Sequence, residues 1–437
     1  MRNYIATCVI AAASLASCTQ NEDFTSQYNE KAKTMKFDVA YVGKNTRATG
    51  DLTSIDDKKF ILWGAAYQLS SSGSSTTESP TGIWITDQEP LYFKKGSTYW
   101  EGFKEEDCST SAEVAYPGAN YKTYFTAIAP ADEFASTSTT GKVDYSMAGQ
   151  KDGTSKSPSS STRKLTLDNI PVVQEIDNTA DTKKGTDYLI ACYNGTTEEV
   201  ALTFKHLLSK LRFAVWTDEN TMKTSGSETT KITLNEIKIY LPKADAKAMY
   251  IQDNHNNVAG TWTWSDFTSS ETAPTAESLE NYQQVTLITS GTKEVNYYDG
   301  ATSAHSATWD DVKLTTEDKT FFIAPNGNTN CKLYMDITYT VSRKVEDKWS
   351  TTNDASAAGD NDVYSAGHKV VTRTGMAIPV NDNNHPDDNN NNEGLSHFHQ
   401  GYIETLYICL RADQKVTFST EFTVDDWVDD PINGKQQ

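Results

Sequence analysis

Met35-Lys-Phe-Asp-Val-Ala-Tyr-Val-Gly-Lys-Asn-Thr-Arg-Ala-Thr-Gly50 is a short alternating stretch that runs into a polar segment around Arg47. Phe37, Val39 and Tyr41 share one parity, the period-two signature of a half-buried β-strand, and Gly43 closes it. Beyond it, Arg47 lies between Thr46 and Ala48 in a run of small polar residues, the kind of loop that proteases nick. Taken alone, this is a first strand followed by a loop. It also suits a removable first strand, residues 35–47, released by cleavage after Arg47 to leave Ala48 as the new amino terminus.

Towards the start of the chain, Met-Arg-Asn precedes an apolar run from Tyr4 to Ala16, the layout of a secretory signal. That run is too short to span a bilayer, and no later stretch reaches the ~18 apolar residues a membrane helix requires. Leu15-Ala16-Ser17-Cys18 resembles the lipobox of bacterial lipoproteins, which implies a signal peptide of residues 1–17 and acylation at Cys18. Two or three acyl chains anchor a protein stably where one holds it only marginally. Residues 18–34 then form a flexible tether, in which Glu22-Asp23 resembles the acidic signal that sends lipoproteins to the outer face of the outer membrane.

The formal net charge is −20 and the lysines are scattered, so the chain lacks the concentrated basic face that nucleic acid binding requires. With Cys8 in the signal and Cys18 the lipid site, Cys108, Cys192, Cys331 and Cys409 remain, without a Cys-x-x-Cys. Buried free thiols and disulfides are both open readings for them. Aromatics at 11%, with 22 Tyr, favour a mainly β chain. Strands are read at Phe60 to Tyr67, Tyr121 to Ala129, Tyr188 to Cys192, Val200 to Phe204, Leu211 to Trp216, Lys231 to Leu241, Thr320 to Ala324, Lys332 to Val341 and Ile403 to Leu410, among others. Between them lie polar stretches such as Ser70 to Pro80, Ser136 to Thr162 and Asn381 to Gly394, which read as surface loops. Phe204, Leu207, Leu208 and Leu211 have helical spacing, so a single turn is expected there.

The last apolar run, Lys415 to Val424, has one apolar face: Val416, Phe418, Thr420, Phe422 and Val424 share a parity. Such a strand close to a chain end can serve another molecule's sheet as well as its own.

In this order, Leu-Ala-Ser-Cys18, Phe60-Ile-Leu-Trp-Gly-Ala-Ala-Tyr67, Tyr124-Phe-Thr-Ala-Ile-Ala-Pro130, Asp187-Tyr-Leu-Ile-Ala191, Val200-Ala-Leu-Thr-Phe-Lys-His-Leu-Leu-Ser-Lys-Leu211, Ile232-Thr-Leu-Asn-Glu-Ile237, Phe321-Phe-Ile-Ala-Pro325 and Phe422-Thr-Val-Asp-Asp-Trp427 resemble the fimbrillin family of Bacteroidales, the subunits of lipoprotein-derived type V pili. The resemblance implies two tandem transthyretin-like β-sandwich domains, 35–195 and 196–437, with a boundary near Gly195. It implies a precursor anchored in the cell outer membrane, cut after Arg47 by an arginine-specific or trypsin-like protease, and polymerised by donor-strand exchange with other pilus subunits. The donor residues would be Val416, Phe418, Phe422 and Val424. One motif departs from the family: Phe398-His-Gln-Gly-Tyr402 stands where a Trp-x-x-Gly-x-x-Tyr-type pattern is common.

No pattern indicates catalysis, a metal or a cofactor. Gly-x-Ser-x-Gly, His-Glu-x-x-His and a phosphate-cradling loop are missing from the sequence. Asp382 to Glu393 has Asp387 where a calcium loop needs Gly, and His397-x-His399 has no third ligand at conventional spacing. His206 reads as a packing and hydrogen-bonding residue. The alternative function is a surface lipoprotein that binds glycans through Trp262-Thr-Trp264, two indoles on one strand face; such a pair is more commonly core.

Overall fold

The computed structural model describes residues 33–423 apart from 42–57, 73–74, 80–81, 87–88, 136–141, 149–162, 177–184, 219–222, 225–226, 253–257, 266, 268–273, 275–278, 289–292, 296, 299–319, 327–330, 346, 350–367, 379–397 and 412–415. The described secondary structure is β throughout except for one 3-10 turn, Ala131–Glu133.

The first sheet begins where the alternating stretch predicts, at Lys36–Tyr41, which lies parallel to Glu199–His206. From there it continues through antiparallel pairs: Leu189–Gly195, Tyr121–Ala129, Phe60–Ser72, Leu91–Lys95 and Trp100–Phe103. Phe37 then pairs back to Trp100, so the sheet closes on itself. Its interior is aromatic, with Phe60 stacked on Phe93 at 5.1 Å and lying 5.4 Å from Phe204. Gly64 is required by this packing, because a Cβ there would meet the Phe125 ring at 2.5 Å.

Tyr121–Ala129 shows why the architecture has more than two layers. Every residue from Thr123 to Ala129 is buried, the mark of a strand covered on both faces. Phe125, Ala127 and Ala129 face the interior of the closed sheet, while Ile128 joins a second, larger core. There a sheet of Val258–Ser265, Asp245–Gln252, Lys164–Pro171, Val143–Met147 and Phe134–Ala135 packs against it. Trp63 meets Tyr145 edge-on at 5.1 Å in this layer.

The same core continues between two further sheets. One is ordered Val173–Ile176, Thr320–Ile323, Ser209–Asp218, Ile403–Leu410, Val416–Thr423. The other centres on Thr230–Pro242 and Leu333–Val345, flanked by Tyr282–Ile288 and His368–Ile378. Phe213, Ile232, Ile237, Phe321, Ile337 and Ile408 are buried together in this core, as expected of sheets packed face to face.

Gly195 ends one strand, and the next strand of the same sheet starts at Glu199 and pairs with it near its far end. Sheets are also shared across that point, since Lys164 pairs opposite Ile251 and Val173 opposite Ile323. The helical turn expected around Leu207 is a bend: strand runs to His206 and resumes at Ser209, because Leu207 donates its N–H to Tyr188 O and both leucines are buried. Part of the loop expected at Ser70 to Pro80 is strand, with Leu69 to Ser72 paired to Ser75–Glu78. Cys108, Cys192, Cys331 and Cys409 are not joined in disulfides, and the last two are buried.

Tyrosines carry much of this packing, and burial raises their ionisation. Tyr67 is pushed up to about 12 by desolvation, against the opposing effect of the Arg163 guanidinium 5.2 Å from its ring. Burial also raises Tyr145, Tyr188 and Tyr250. A hydroxyl raised above its unfolded value of about 10 favours the fold below that pH, and the benefit is lost as pH climbs through the folded value. Stability should therefore fall between about pH 10 and 12, with tyrosinate absorbance appearing together with loss of sheet signal. Full tyrosine titration by an intact fold would contradict this packing.

Candidate assembly site

The closing strand is built by alternation. Met35 and Phe37 are buried and Val39 is half-buried against the same core, whereas Lys36 and Asp38 are exposed. The Phe37 ring lies 4.7 Å from Phe93 and 5.2 Å from Phe125, both edge-on, and is 1% exposed. Burying such a side chain is worth about 1.5–3 kcal/mol.

Its two sides are held unequally. Towards Glu199–His206 it pairs along its whole length, from Lys36 opposite Glu199 to Tyr41 opposite Phe204. Towards Trp100–Phe103 there is, among the described residues, only the bridge between Phe37 and Trp100. Just before the strand, Met35 donates its N–H to Val114 O and Tyr116 donates to Lys33 O. Lys33 also pairs with Glu198 at 3.2 Å, an exposed contact worth little. Without this strand, the sheet would be open between Glu199–His206 and Trp100–Phe103, uncovering Val200, Leu202 and Phe204.

The groove wall ends in a buried polar anchor. His206 Nδ1 and Asp187 Oδ1 lie 2.8 Å apart and share a hydrogen bond, both side chains 1% exposed. This assigns His206 the hydrogen-bonding role read from the sequence and adds Asp187, which sequence reasoning missed although it opens the Asp187-Tyr-Leu-Ile-Ala191 motif.

At the other end of the chain, the predicted one-faced strand is present as Val416–Thr423. It pairs antiparallel with Ile403–Leu410, placing Val416, Phe418 and Thr420 opposite Leu410, Ile408 and Leu406. It is the edge of its sheet, with no second neighbour among the described residues. Val416 is half-buried against the large core. The strand inside it is held on both sides, and the chain entering it is tied down further. Gly401, at φ +76°, donates to Leu208 O at 3.0 Å, Lys210 donates to Tyr402 O at 2.8 Å, and Phe398 donates its N–H to Asn326 Oδ1 at 3.0 Å. The Phe-His-Gln-Gly-Tyr departure is thus a clasp, and the edge strand Val416–Thr423 lies beyond it.

Cys18, Arg47, Ala48 and Val424 lie outside the described residues, as do His397 and the acidic stretch from Asp382 to Glu393. Trp262 and Trp264 are buried, and Trp264 Nε1–H donates to Pro325 O at 3.0 Å, so the exposed aromatic face needed for glycan stacking is not formed by them. Among the described residues, no group of three His, Cys, Asp or Glu is placed to hold a metal, and no helix is long and apolar enough to cross a membrane.

No family model and no curated protein matches the chain. Solved structures do. A candidate cell adhesion protein of Bacteroides ovatus is 12% identical, with 91% of this chain and 99% of that one covered and a TM-score of 0.36. A fimbrial assembly protein of Parabacteroides distasonis is 9% identical, with 90% and 98% covered and a TM-score of 0.29. The tip fimbrial protein Mfa3 of Porphyromonas gingivalis, C-terminally truncated, is 10% identical, with 84% and 95% covered and a TM-score of 0.27. These neighbours are fimbrial and adhesion proteins of Bacteroidales. At such scores the likeness assigns no role to any residue of this chain.

The geometry makes Phe37 the keystone of the closed sheet. Phe37→Ala in the chain lacking residues 1–17 should lower stability by about 3–5 kcal/mol in denaturant titration. Val370→Ala, at a side chain 49% exposed, should change it by no more than about 0.5 kcal/mol. Equal effects of the two would remove Phe37 from that position.

Proposed function

We propose that this chain is the precursor of a structural, non-enzymatic pilus subunit of the type V kind, built of tandem transthyretin-like β-sandwich domains. It is lipidated at Cys18, carried to the outer membrane, and matured by an arginine-specific protease between Arg47 and Ala48. Loss of the first strand opens a groove that accepts a strand from another subunit, and this subunit offers its own C-terminal strand in turn. The extracellular polymer supports adhesion.

The observation that carries this reading is the lopsided attachment of Lys36–Tyr41: a full ladder on one side and a single bridge on the other. A strand so placed, and followed in sequence by the polar run around Arg47, can be taken out while the rest of its sheet keeps its own pairings. The vacated edge then exposes unpaired N–H and C=O groups beside apolar pockets, and strand addition satisfies both. An edge strand beyond the clasp, Val416–Thr423, suits the donor role.

Maturation is tested on surface-sheared polymer by amino-terminal sequencing, where Ala48 is the expected first residue. Arg47→Ala should leave monomeric, membrane-bound precursor. Polymers that still begin at Cys18, or normal polymerisation of the Arg47 variant, would take the activation step out of this account.

A further inference from the structure

Val258–Ser265 is the outer strand of its sheet, with no second neighbour among the described residues. It pairs antiparallel with Asp245–Gln252, from Val258 opposite Gln252 to Ser265 opposite Asp245, without a register shift. Its sequence, Val-Ala-Gly-Thr-Trp-Thr-Trp-Ser, holds no charge and no proline. Two buried indoles pin it from within: Trp264 Nε1–H donates to Pro325 O, and Trp262 meets Tyr250 edge-on at 6.3 Å. Thr261, Thr263 and Ser265 are exposed on the other face.

Natural sheets protect such edges with charge, proline, bulges or shortness. The other outer strands described here follow that rule. Val416–Thr423 carries Glu421, and His368–Ile378 carries Lys369 and Arg373 and shifts register against its neighbour. Tyr282–Ile288 also shifts register, while Val173–Ile176 and Phe134–Ala135 are short. Val258–Ser265 is long, regular and uncharged in a chain of formal net charge −20.

We infer that this edge pairs with the same edge of a second copy, antiparallel about a two-fold axis through Thr261, so that one sheet continues across both chains. Net charge makes a second copy a poor neighbour at a charged surface, whereas here unpaired N–H and C=O groups meet with no charge between them. Pairing that keeps each face on its own side sets residues of one parity opposite each other, so the axis passes through a residue. Centred on Thr261, Val258 to Trp264 forms the joint ladder and Gly260 lies opposite Trp262 of the other copy, a small residue facing a large one. Centred on Trp262, the two indoles would face each other; centred on Gly260 or Thr263, the ladder would be shorter. The Thr261 axis also sends the two Asp245 carboxylates to opposite ends of the ladder, more than about 25 Å apart and beyond the reach of screened repulsion. Lys247, opposite Thr263, is already paired with Asp168 at 2.9 Å.

So short a ladder buries far less than the about 1,200–2,000 Å² of a stable interface, and dilute precursor stays monomeric. The contact acts where copies are held side by side, as in the proposed polymer, because many weak contacts between two arrays add up.

Disulfide trapping on concentrated, uncleaved chain lacking residues 1–17 reads the pairing without any maturation step. Each Thr261 faces its counterpart within reach of a disulfide, whereas Thr263 faces residue 259. Oxidised Thr261→Cys should give a reducible dimer in roughly tenfold excess over Thr263→Cys and over Ser146→Cys, an exposed site elsewhere in the same sheet, once the background of the natural thiols in the unsubstituted chain is subtracted. An excess of Thr263→Cys dimer, or of mixed dimer when Thr261→Cys and Thr263→Cys chains are combined, overturns the register. A Thr261→Cys yield no higher than that of Ser146→Cys overturns the pairing. Amide hydrogen exchange of the unsubstituted chain gives a reading that needs no substitution: concentrating the protein should slow exchange severalfold along Val258–Ser265 and leave Tyr282–Ile288 unchanged, and equal behaviour of the two strands overturns the inference. Because the chain is uncleaved, failure of this pairing leaves maturation and strand exchange standing, and their failure leaves the pairing standing.

Discussion

A sheet that closes on itself needs one last strand, and in this protein that strand comes from the first described residues. Lys36–Tyr41 sits between Glu199–His206 and Trp100 and covers an interior made of Phe60, Phe93, Phe125 and Phe204. The remaining strands of that sheet pair with one another without it, through antiparallel pairings between residues 60 and 206. The closing pair joins residue 37 to residue 200 and so carries a loop-closure penalty that local hairpins do not. Closure is therefore an addition to a body that is already paired, which is what would allow a strand to be structurally required and yet separable in the proposed maturation.

The parts of this arrangement that follow from short-range pattern were legible in the sequence. Phe37 with Val39, and Val416 with Phe418 and Phe422, announce one-faced strands because parity alone assigns a face. Tyr121 to Ala129 could be read as a strand from its length and composition, but its burial on both faces could not, since that depends on what packs above and below. Asp245–Gln252 escaped notice because its inward positions are Ala246, Ala248 and Tyr250, and alanine gives little strand signal. The spacing of Leu207 and Leu208 suggested a helical turn; tertiary burial of both at a bend decided otherwise. Most of all, the pairing of Lys164–Pro171 with Asp245–Gln252 across the expected boundary near Gly195 has no local signature, because register between distant strands is set by the three-dimensional fit of their faces.

The two ends of the chain are held in contrasting ways. The first described strand is bound along one edge and capped by an enclosed aromatic; the last is, among the described residues, an edge strand bound along one side only. Natural proteins usually shorten, charge or cover an exposed edge to avoid unwanted pairing. Here the edge lies beyond the Phe398 to Tyr402 clasp, where Gly401 and Tyr402 fix the backbone to Leu208 and Lys210. In the proposed exchange the clasp would set how much of the chain could leave: the outermost strand, while Ile403–Leu410 stays between its neighbours.

In the proposed exchange the ladder hydrogen bonds lost and gained are similar, so they give little net drive. A strand leaving Ile403–Leu410 gives up pairs along Val416 to Thr423 and gains a ladder against Glu199–His206. What differs is enclosure. The groove offers a pocket walled by Phe93 and Phe125 in which an aromatic is fully desolvated, worth about 1.5–3 kcal/mol for each such side chain. On the proposed reading that gain is unavailable while Phe37 occupies the pocket, so the precursor would be held inactive by its own best ligand. The proposed cleavage would change the balance because it would turn Lys36–Tyr41 from a tethered segment, present at high effective concentration, into a peptide that is lost on dilution. On that reading the direction of assembly would come from an irreversible cut and a pocket that must be refilled, and not from any difference in the strength of the β-ladders themselves.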